Sequence, residues 1–226
     1  MIPYLLVISL LLAASAFAQE AGSLPKGDCA APVPSHDYRH CDFNGMNLSA
    51  VDLSGSLLNG VNFQNAKLLD CNLNGAFLVG ADLKWAFLSG CQAADADFTD
   101  ADLFHTNFDE TQIDQARFQH ANLFGASLNG AAGDGADFSH ANLKDISMEE
   151  SRLTNANFDQ AFMMRAVLIE SDMSGSSFHQ AVLTGAALEY ADFSRTDLTG
   201  ALLNGTTLTE TKFIGATLTG SRFVNA

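Results

Sequence analysis

Basic residues are scarce in this sequence of 226 residues. It holds 11 Lys and Arg against 26 Asp and Glu, which gives a formal net charge of −15 at pH 7. A nucleic-acid-binding surface must neutralise phosphates with Lys and Arg, so this composition argues against nucleic acid as a ligand. The acidic excess favours solubility and, if there is a partner, a basic one.

Long apolar runs are missing after residue 18. The single run, Leu5 to Ala16, is followed by Ala16-Phe17-Ala18, a small-residue pattern typical of signal-peptide cleavage. We therefore predict a secretory signal peptide over residues 1–18 and an exported chain with no membrane span after cleavage. The alternative is an uncleaved membrane anchor, although the run is short for a bilayer span.

Proline is absent after Pro34, and from Cys41 the sequence repeats every five residues without an insertion. Residues 41–225 form 37 pentapeptides, among them ADLFH, ANLFG, ANLKD and ADFTD. The middle residue of each, which we call the centre, is Leu or Phe in 31 of the 37. Ala stands two places before the centre in 20 repeats, and Asp or Asn stands one place before it in 16. The last place holds 15 of the 18 glycines.

A period of five fits neither a helix nor a continuous strand. It would scatter the centres around a helix and send them to alternate faces of a strand. If each repeat is one short extended piece plus one turn, the centre and the residue two before it both face a shared interior. Gly then supplies the freedom that a tight turn needs, and Asp or Asn hydrogen-bonds nearby backbone.

The A-(D/N)-L-x-x unit resembles the pentapeptide-repeat family over residues 41–225. The resemblance implies an all-β fold, a right-handed quadrilateral parallel β-helix with four pentapeptides to a coil and about nine coils. With that coil, residues twenty apart stack. We predict one continuous inward column, Phe98, Phe118, Phe138, Phe158 and Phe178. We also predict a bulge or a local distortion at AAGDG, residues 131–135, where Gly133 is the centre.

The ends of such a coil need cover, because open layers expose apolar side chains and unpaired backbone. We assign residues 19–40, which carry three prolines and do not follow the period, as an N-terminal cover segment, and residues 41–226 as the β-helix. The last repeats end in phase without a capping helix, so a homodimer through the C-terminal coil is one possible assembly.

Four cysteines in an exported chain suggest disulfides. We predict that Cys29 pairs with Cys41, because the two bracket the cover segment. Cys71 and Cys91 would lie on adjacent layers at a Cα spacing of ~4.8 Å, which a disulfide permits. The alternative, which we favour, is that each is a small core residue.

Motifs of enzyme and cofactor chemistry are missing: there is no G-x-S-x-G, H-E-x-x-H, C-x-x-C or P-loop. We therefore expect neither an enzyme nor a cofactor. His120 and His140, with Asp100 one layer away, are weak candidates for a surface metal site. The simpler interpretation is that these are solvated outer positions.

One face carries apolar residues in outward places that are mostly polar elsewhere. They are Phe104, Phe124, Phe162, Met164, Val182 and Leu202. A contiguous apolar stripe on a polar surface suggests a partner-binding face. The alternative is that these side chains tuck individually against the wall.

The sequence thus predicts an exported structural or protein-interaction module with an unidentified protein partner. The expected compartment is the bacterial periplasm, with the thylakoid lumen or secretion as alternatives. Some pentapeptide-repeat proteins are acidic DNA mimics that inhibit a topoisomerase such as gyrase. The net charge fits that second function, and the predicted signal peptide argues against it.

Overall fold

The computed structural model describes residues 24–226. The predicted signal peptide, residues 1–18, and the first residues of the predicted cover segment lie outside this range. Within the described part of the chain, no helix has the length and apolar character needed to cross a bilayer.

The β-structure of residues 24–226 consists of single-residue parallel bridges rather than extended strands. Each regular bridge joins the residue before a centre to the residue twenty positions later, from Asp37↔Leu57 to Leu202↔Arg222. Hydrogen bonds run both ways across nearly every bridge. At Asp52↔Asn72 the amide of Leu53 donates to the carbonyl of Asn72, and the amide of Asn72 donates to the carbonyl of Val51. The chain is therefore a parallel β-helix whose paired positions are separated by four pentapeptides.

A tight turn follows every centre and explains the glycine bias. The amide of Met46, for example, donates to the carbonyl of the Phe43 centre at 3.0 Å. The last residue of each repeat has a φ between 52° and 74°, and the residue before it does not have a positive φ, which is the pattern of a type II turn. Glycine adopts this conformation without a steric cost, and 22 repeats place another residue there instead.

The Asp and Asn residues before the centres hold these turns. In 15 of the 16 repeats that carry one, its Oδ1 accepts a hydrogen bond from the backbone amide two residues later, as Asp42 accepts from the amide of Asn44. In several repeats that lack Asp or Asn before the centre, the same backbone amide donates instead to an Asp or Asn side chain of the previous coil. Asp114 accepts from the amide of Asp134 at 2.8 Å in this way.

The core is built from the centres and the small residues two places before them. These side chains are almost fully buried from Tyr38 to Leu203, except Met46 and Val51, which are partly buried. The predicted phenylalanine column is confirmed, with rings that stack nearly parallel and centroids 4.7 to 5.0 Å apart. Stacking of like rings at the layer spacing lets each coil repeat the shape of the one before it.

The predicted bulge at residues 131–135 is wrong. Ala132 keeps its bridges to Gln112 and Arg152 in the twenty-residue register. A Cβ placed on Gly133 would lie 2.7 Å from a side-chain carbon of Ile113 and 3.0 Å from one of Leu153. Side chains from the two adjacent coils therefore fill the space, and the backbone does not need to distort.

At the N-terminal end the ladder extends beyond the boundary that the sequence predicts at residue 41. Asp37 already pairs with Leu57, and Tyr38 is buried in the place of a centre. Residues 25–27 then cover this first layer, because Lys26 bridges Asp37 and Gly27 packs on the Tyr38 ring. The cover segment therefore contributes a layer of its own and one repeat that the sequence period does not reveal.

Both cysteine pairs are bonded in the structure. Cys29 and Cys41 form one disulfide with a Cα–Cα distance of 5.7 Å, and it ties the cover to the first coils. Cys71 and Cys91 form the other across adjacent coils, with a Cα–Cα distance of 4.5 Å. We favoured separate core residues for the second pair. Both of these cysteines are fully buried, so they are core residues as well as disulfide partners.

Candidate partner-binding face

The predicted apolar residues occupy one face but form two groups in adjacent rows. The first group, Phe104 and Phe124, packs with Trp85, and we call these three residues the aromatic cluster. The second, the upper column, consists of Phe162, Val182 and Leu202, which follow one another in the bridge ladder.

The aromatic cluster is held by ring contacts across three coils. Phe104 and Phe124 stack with centroids 5.4 Å apart and planes 8° from parallel. Trp85 meets the Phe104 ring edge-on at 5.6 Å and is 45 % exposed. The Nζ of Lys144 lies 5.7 Å from the Phe124 centroid, within cation–π range. The cluster is therefore rigid and partly open to solvent.

The upper column is the more exposed group. Phe162 is 53 % exposed, and Val182 and Leu202 are half-buried beside it. Met164 lies half-buried in the row that also carries Phe124. The upper column continues a ladder of bridges whose preceding members, Asp102, Asn122 and Asn142, are polar. Asn142 pairs with Phe162.

The polar part of that ladder separates the two groups. The amide of Asn122 donates to Asp102 at 3.0 Å, and Asn142 donates to Asn122 at 2.9 Å. Lys84 contacts Asp82 at 3.1 Å and Asp102 at 3.0 Å, and these hydrogen bonds raise its pKa above the usual value. These polar groups are therefore hydrogen-bonded to one another, and the two carboxylates that share the Lys84 ammonium leave one net negative charge on this part of the face.

Sequence reasoning missed Trp85. It stands at the last place of its repeat, with a φ of 56°, where glycine is the commonest residue. The signal was present in the sequence, because the only tryptophan of the chain occupies a glycine position. Phe87, 46 % exposed on the neighbouring face, was also missed.

The predicted metal candidates do not assemble into a group of three ligands. The rings of His120 and His140 stack with centroids 5.0 Å apart. Among residues 24–226, three metal-ligating side chains gather only at Cys29, His40 and Cys41. A shallow acidic depression, lined by Asp109, Glu110, Asn129, Gly130, Glu149 and Glu150, lies elsewhere on the surface.

Comparisons with known proteins agree with the repeat. The model of the pentapeptide repeat region matches residues 35–118, and that of pentapeptide repeats (8 copies) matches residues 134–168, 163–200 and 191–226. No curated protein matches this chain.

Solved structures of pentapeptide-repeat proteins are similar to this chain. QnrB1, a plasmid-mediated fluoroquinolone resistance protein, has a TM-score of 0.50 and 20% identity, over 75% of this chain and 92% of that one. HetL, involved in heterocyst differentiation regulation in the cyanobacterium Nostoc sp. strain PCC 7120, has a TM-score of 0.46 and 27% identity, over 84% and 88%. A thylakoid-lumen protein of Arabidopsis thaliana, AT2G44920, has a TM-score of 0.25 and 25% identity, over 66% and 69%.

These similarities concern the fold of the chain rather than its role. QnrB1 supports the right-handed β-helix that proteins of this kind form. Together the two family models span most of the residues that carry the five-residue period. The chain therefore belongs to the pentapeptide-repeat family.

Proposed function

We propose that this chain is an exported, non-enzymatic scaffold that binds a protein partner through the aromatic cluster and the upper column. The observation that carries the proposal is the exposed Trp85 packed on Phe104. Tryptophan is among the residues most enriched in binding hot spots, where a rigid aromatic side chain fills a pocket of the partner. A scaffold of fixed coils orders such side chains before binding, which lowers the entropic cost of association.

The proposed scaffold has a quadrilateral cross-section and about nine coils. Two observations support this finer description: a turn after every centre and bridges between residues twenty apart. At ~4.8 Å per layer, nine coils give a rod about 45 Å long. The candidate face then extends along most of one side of the rod.

The chemistry of the face indicates an apolar partner surface with a basic rim. The two apolar groups would be covered by apolar side chains, which is the composition of the centre of a protein interface. The net charge of −15 would speed the approach of a basic partner at low ionic strength.

The test combines Phe124→Asp with Phe162→Asp in the full-length chain. Interacting proteins are first captured from the native compartment by crosslinking to the wild type, identified, and purified. Binding of the double variant is then measured directly by interferometry. We expect the affinity to fall at least about 100-fold, because each substitution places a charge in an apolar contact.

Phe87→Asp is the matched control. Phe87 stands in the same place of its repeat as Phe162 and has a similar exposure, 46% against 53%, but lies on the neighbouring face. It should leave the affinity within about two-fold of the wild type. Equal loss of binding in the control and in the double variant, with circular dichroism unchanged, would contradict the proposed face.

An acidic DNA mimic that inhibits a topoisomerase such as gyrase is the second candidate, and the net charge favours it. The predicted signal peptide argues against it, because that target is cytosolic. A supercoiling assay with purified gyrase separates the two functions. Inhibition by the wild type that Phe124→Asp leaves unchanged would support the mimic over the scaffold.

Export and self-association are further parts of the proposal. Export to the periplasm predicts that a tagged full-length chain is recovered there, shortened by the first 18 residues.

A homodimer through the C-terminal coil is supported by the partial exposure of its interior, where Leu218 is 41 % exposed. Light scattering over a hundred-fold range of concentration tests it, and a constant monomer mass would remove it.

A further inference from the structure

His40 lies beside the disulfide that ties the cover segment to the coil. Its Nε2 is 3.6 Å from the Sγ of Cys29 and 3.7 Å from the Sγ of Cys41. All three ligand atoms lie within 4.8 Å of one another. His40 is exposed and Cys29 is half-buried, so the group is reachable from solvent.

The nitrogen–sulfur separations are those of a tetrahedral zinc site. With Zn–S bonds of ~2.3 Å and a Zn–N bond of ~2.0 Å, nitrogen and sulfur ligands lie ~3.5–3.6 Å apart. The imidazole of His40 therefore already stands at the required distance from both sulfurs. The two sulfurs would move apart by less than ~2 Å, and this movement requires the disulfide to be reduced.

We propose that Cys29, His40 and Cys41 bind Zn²⁺ when their disulfide is reduced. A dithiol reductant gives two electrons and two protons, so the S–S bond becomes two thiols while the reductant closes to a cyclic disulfide. Zn²⁺ then displaces the two thiol protons and accepts an electron pair from each thiolate and from the neutral imidazole. Water completes the fourth tetrahedral position.

The second disulfide shows what distinguishes this site. Cys71 and Cys91 are both fully buried and gather no third ligand, since the Cys29 group is the one set of three found in residues 24–226. A reductant and a metal ion reach the outer pair first. The Cys71–Cys91 pair is therefore an internal comparison, a disulfide that has no histidine side chain grouped with it.

Zinc would keep the cover in place when the disulfide is lost. The disulfide joins residues 12 apart and holds the segment that packs on Tyr38. A metal bound by the same two sulfurs and by His40 closes a loop of the same length. The first coil would then remain covered in both oxidising and reducing surroundings.

The experiment titrates the full-length chain with Co²⁺ and Zn²⁺ after mild reduction by a dithiol and its removal. We expect one equivalent of Co²⁺ to bind with the sulfur-to-metal charge-transfer absorption and visible bands of a tetrahedral thiolate site. Zn²⁺ should displace it, and Zn²⁺ added to the reduced, metal-free chain should release two protons per ion near neutral pH. A spectrum without the charge-transfer band would overturn the proposal.

His40→Ala leaves both cysteines in place and should weaken Zn²⁺ binding by more than about 100-fold, since a lost ligand costs at least as much as a lost outer-shell partner. The matched control is His105→Ala, an exposed histidine away from Cys29 and Cys41, which should bind as the wild type does. Cys29→Ser with Cys41→Ser should abolish binding. Equal affinity in the His40 and His105 variants, or a reduced chain that unfolds and is not refolded by Zn²⁺, would refute the site.

Discussion

Trp85 packs edge-on against Phe104, with ring centroids 5.6 Å apart and planes 82° from parallel. Its backbone has a φ of 56°, a conformation that suits glycine and that bulky residues rarely adopt. The one tryptophan of the chain therefore stands at a position where its backbone conformation costs free energy.

Replacing this residue separates binding from stability. We expect Trp85→Gly to leave the free energy of unfolding unchanged or raise it by up to ~1 kcal/mol, because glycine relieves the backbone strain. The same variant should weaken partner binding by at least about 2 kcal/mol if Trp85 is a hot spot. Urea unfolding and interferometry measure the two effects. A loss of stability together with unchanged binding would mean that Trp85 serves the fold.

The phenylalanine column predicts a large cost for an interior cavity. The Phe138 ring stacks between Phe118 and Phe158, with centroids 4.7 and 5.0 Å away. Phe138→Ala should lower the free energy of unfolding by about 3–5 kcal/mol, as measured by urea unfolding. Phe162→Ala is the control and should cost less than about 1 kcal/mol, because Phe162 is 53 % exposed. Similar losses in the two variants would be incompatible with the column as the core.

Much of the fold could be predicted because the same residue preferences recur in successive repeats. The five-residue period recurs 37 times, with Leu or Phe at 31 of the centres, so the register of twenty and the phenylalanine column follow once the family is recognised. Prediction failed at Gly133, since a single repeat does not show that Ile113 and Leu153 of the adjacent coils fill the gap. It also failed at Tyr38, whose repeat, HDYRH, carries the usual Asp and pairs in the twenty-residue register but lacks the small first residue and the Leu or Phe centre.

The candidate face could be predicted only in part. The apolar outward residues are visible in the sequence, but their division into two groups depends on which row each occupies relative to the centre. Trp85 was overlooked because it stands in a turn position that carries many residue types. His40 escaped notice because its approach to Cys29 depends on how the cover segment folds back.

The contact between Gly27 and Tyr38 tests the cover segment. A Cβ on Gly27 would collide with the Tyr38 ring, which is fully buried and anchored by its hydroxyl to the Val33 carbonyl at 2.8 Å. Gly27→Ala should therefore cost about 1–3 kcal/mol of unfolding free energy. Gly75→Ala is the comparison: no atom lies within 4 Å of its Cβ, so it bears only the cost of its φ of 62°, about 1 kcal/mol. A smaller loss at Gly27 than at Gly75 would show that the cover does not press on the coil.

The ion pair of Asp37 and Arg39 gives the N-terminal end a defined pH dependence. Two hydrogen bonds from Arg39, at 2.9 and 2.6 Å, lower the pKa of Asp37 from 3.8 to about 2. Because the folded pKa lies below the unfolded one, the pair stabilises the fold fully above pH 3.8, and this stabilisation is lost as the pH falls toward 2. Asp37→Asn keeps the shape of the side chain but removes its charge. The difference in unfolding free energy between wild type and variant should therefore be constant from pH 7 to about 5 and shrink toward zero near pH 2. Because the Asn side chain keeps the oxygen that accepts from the Arg39 amide, a difference that persists at pH 2 would contradict the assignment of the effect to the charge of Asp37.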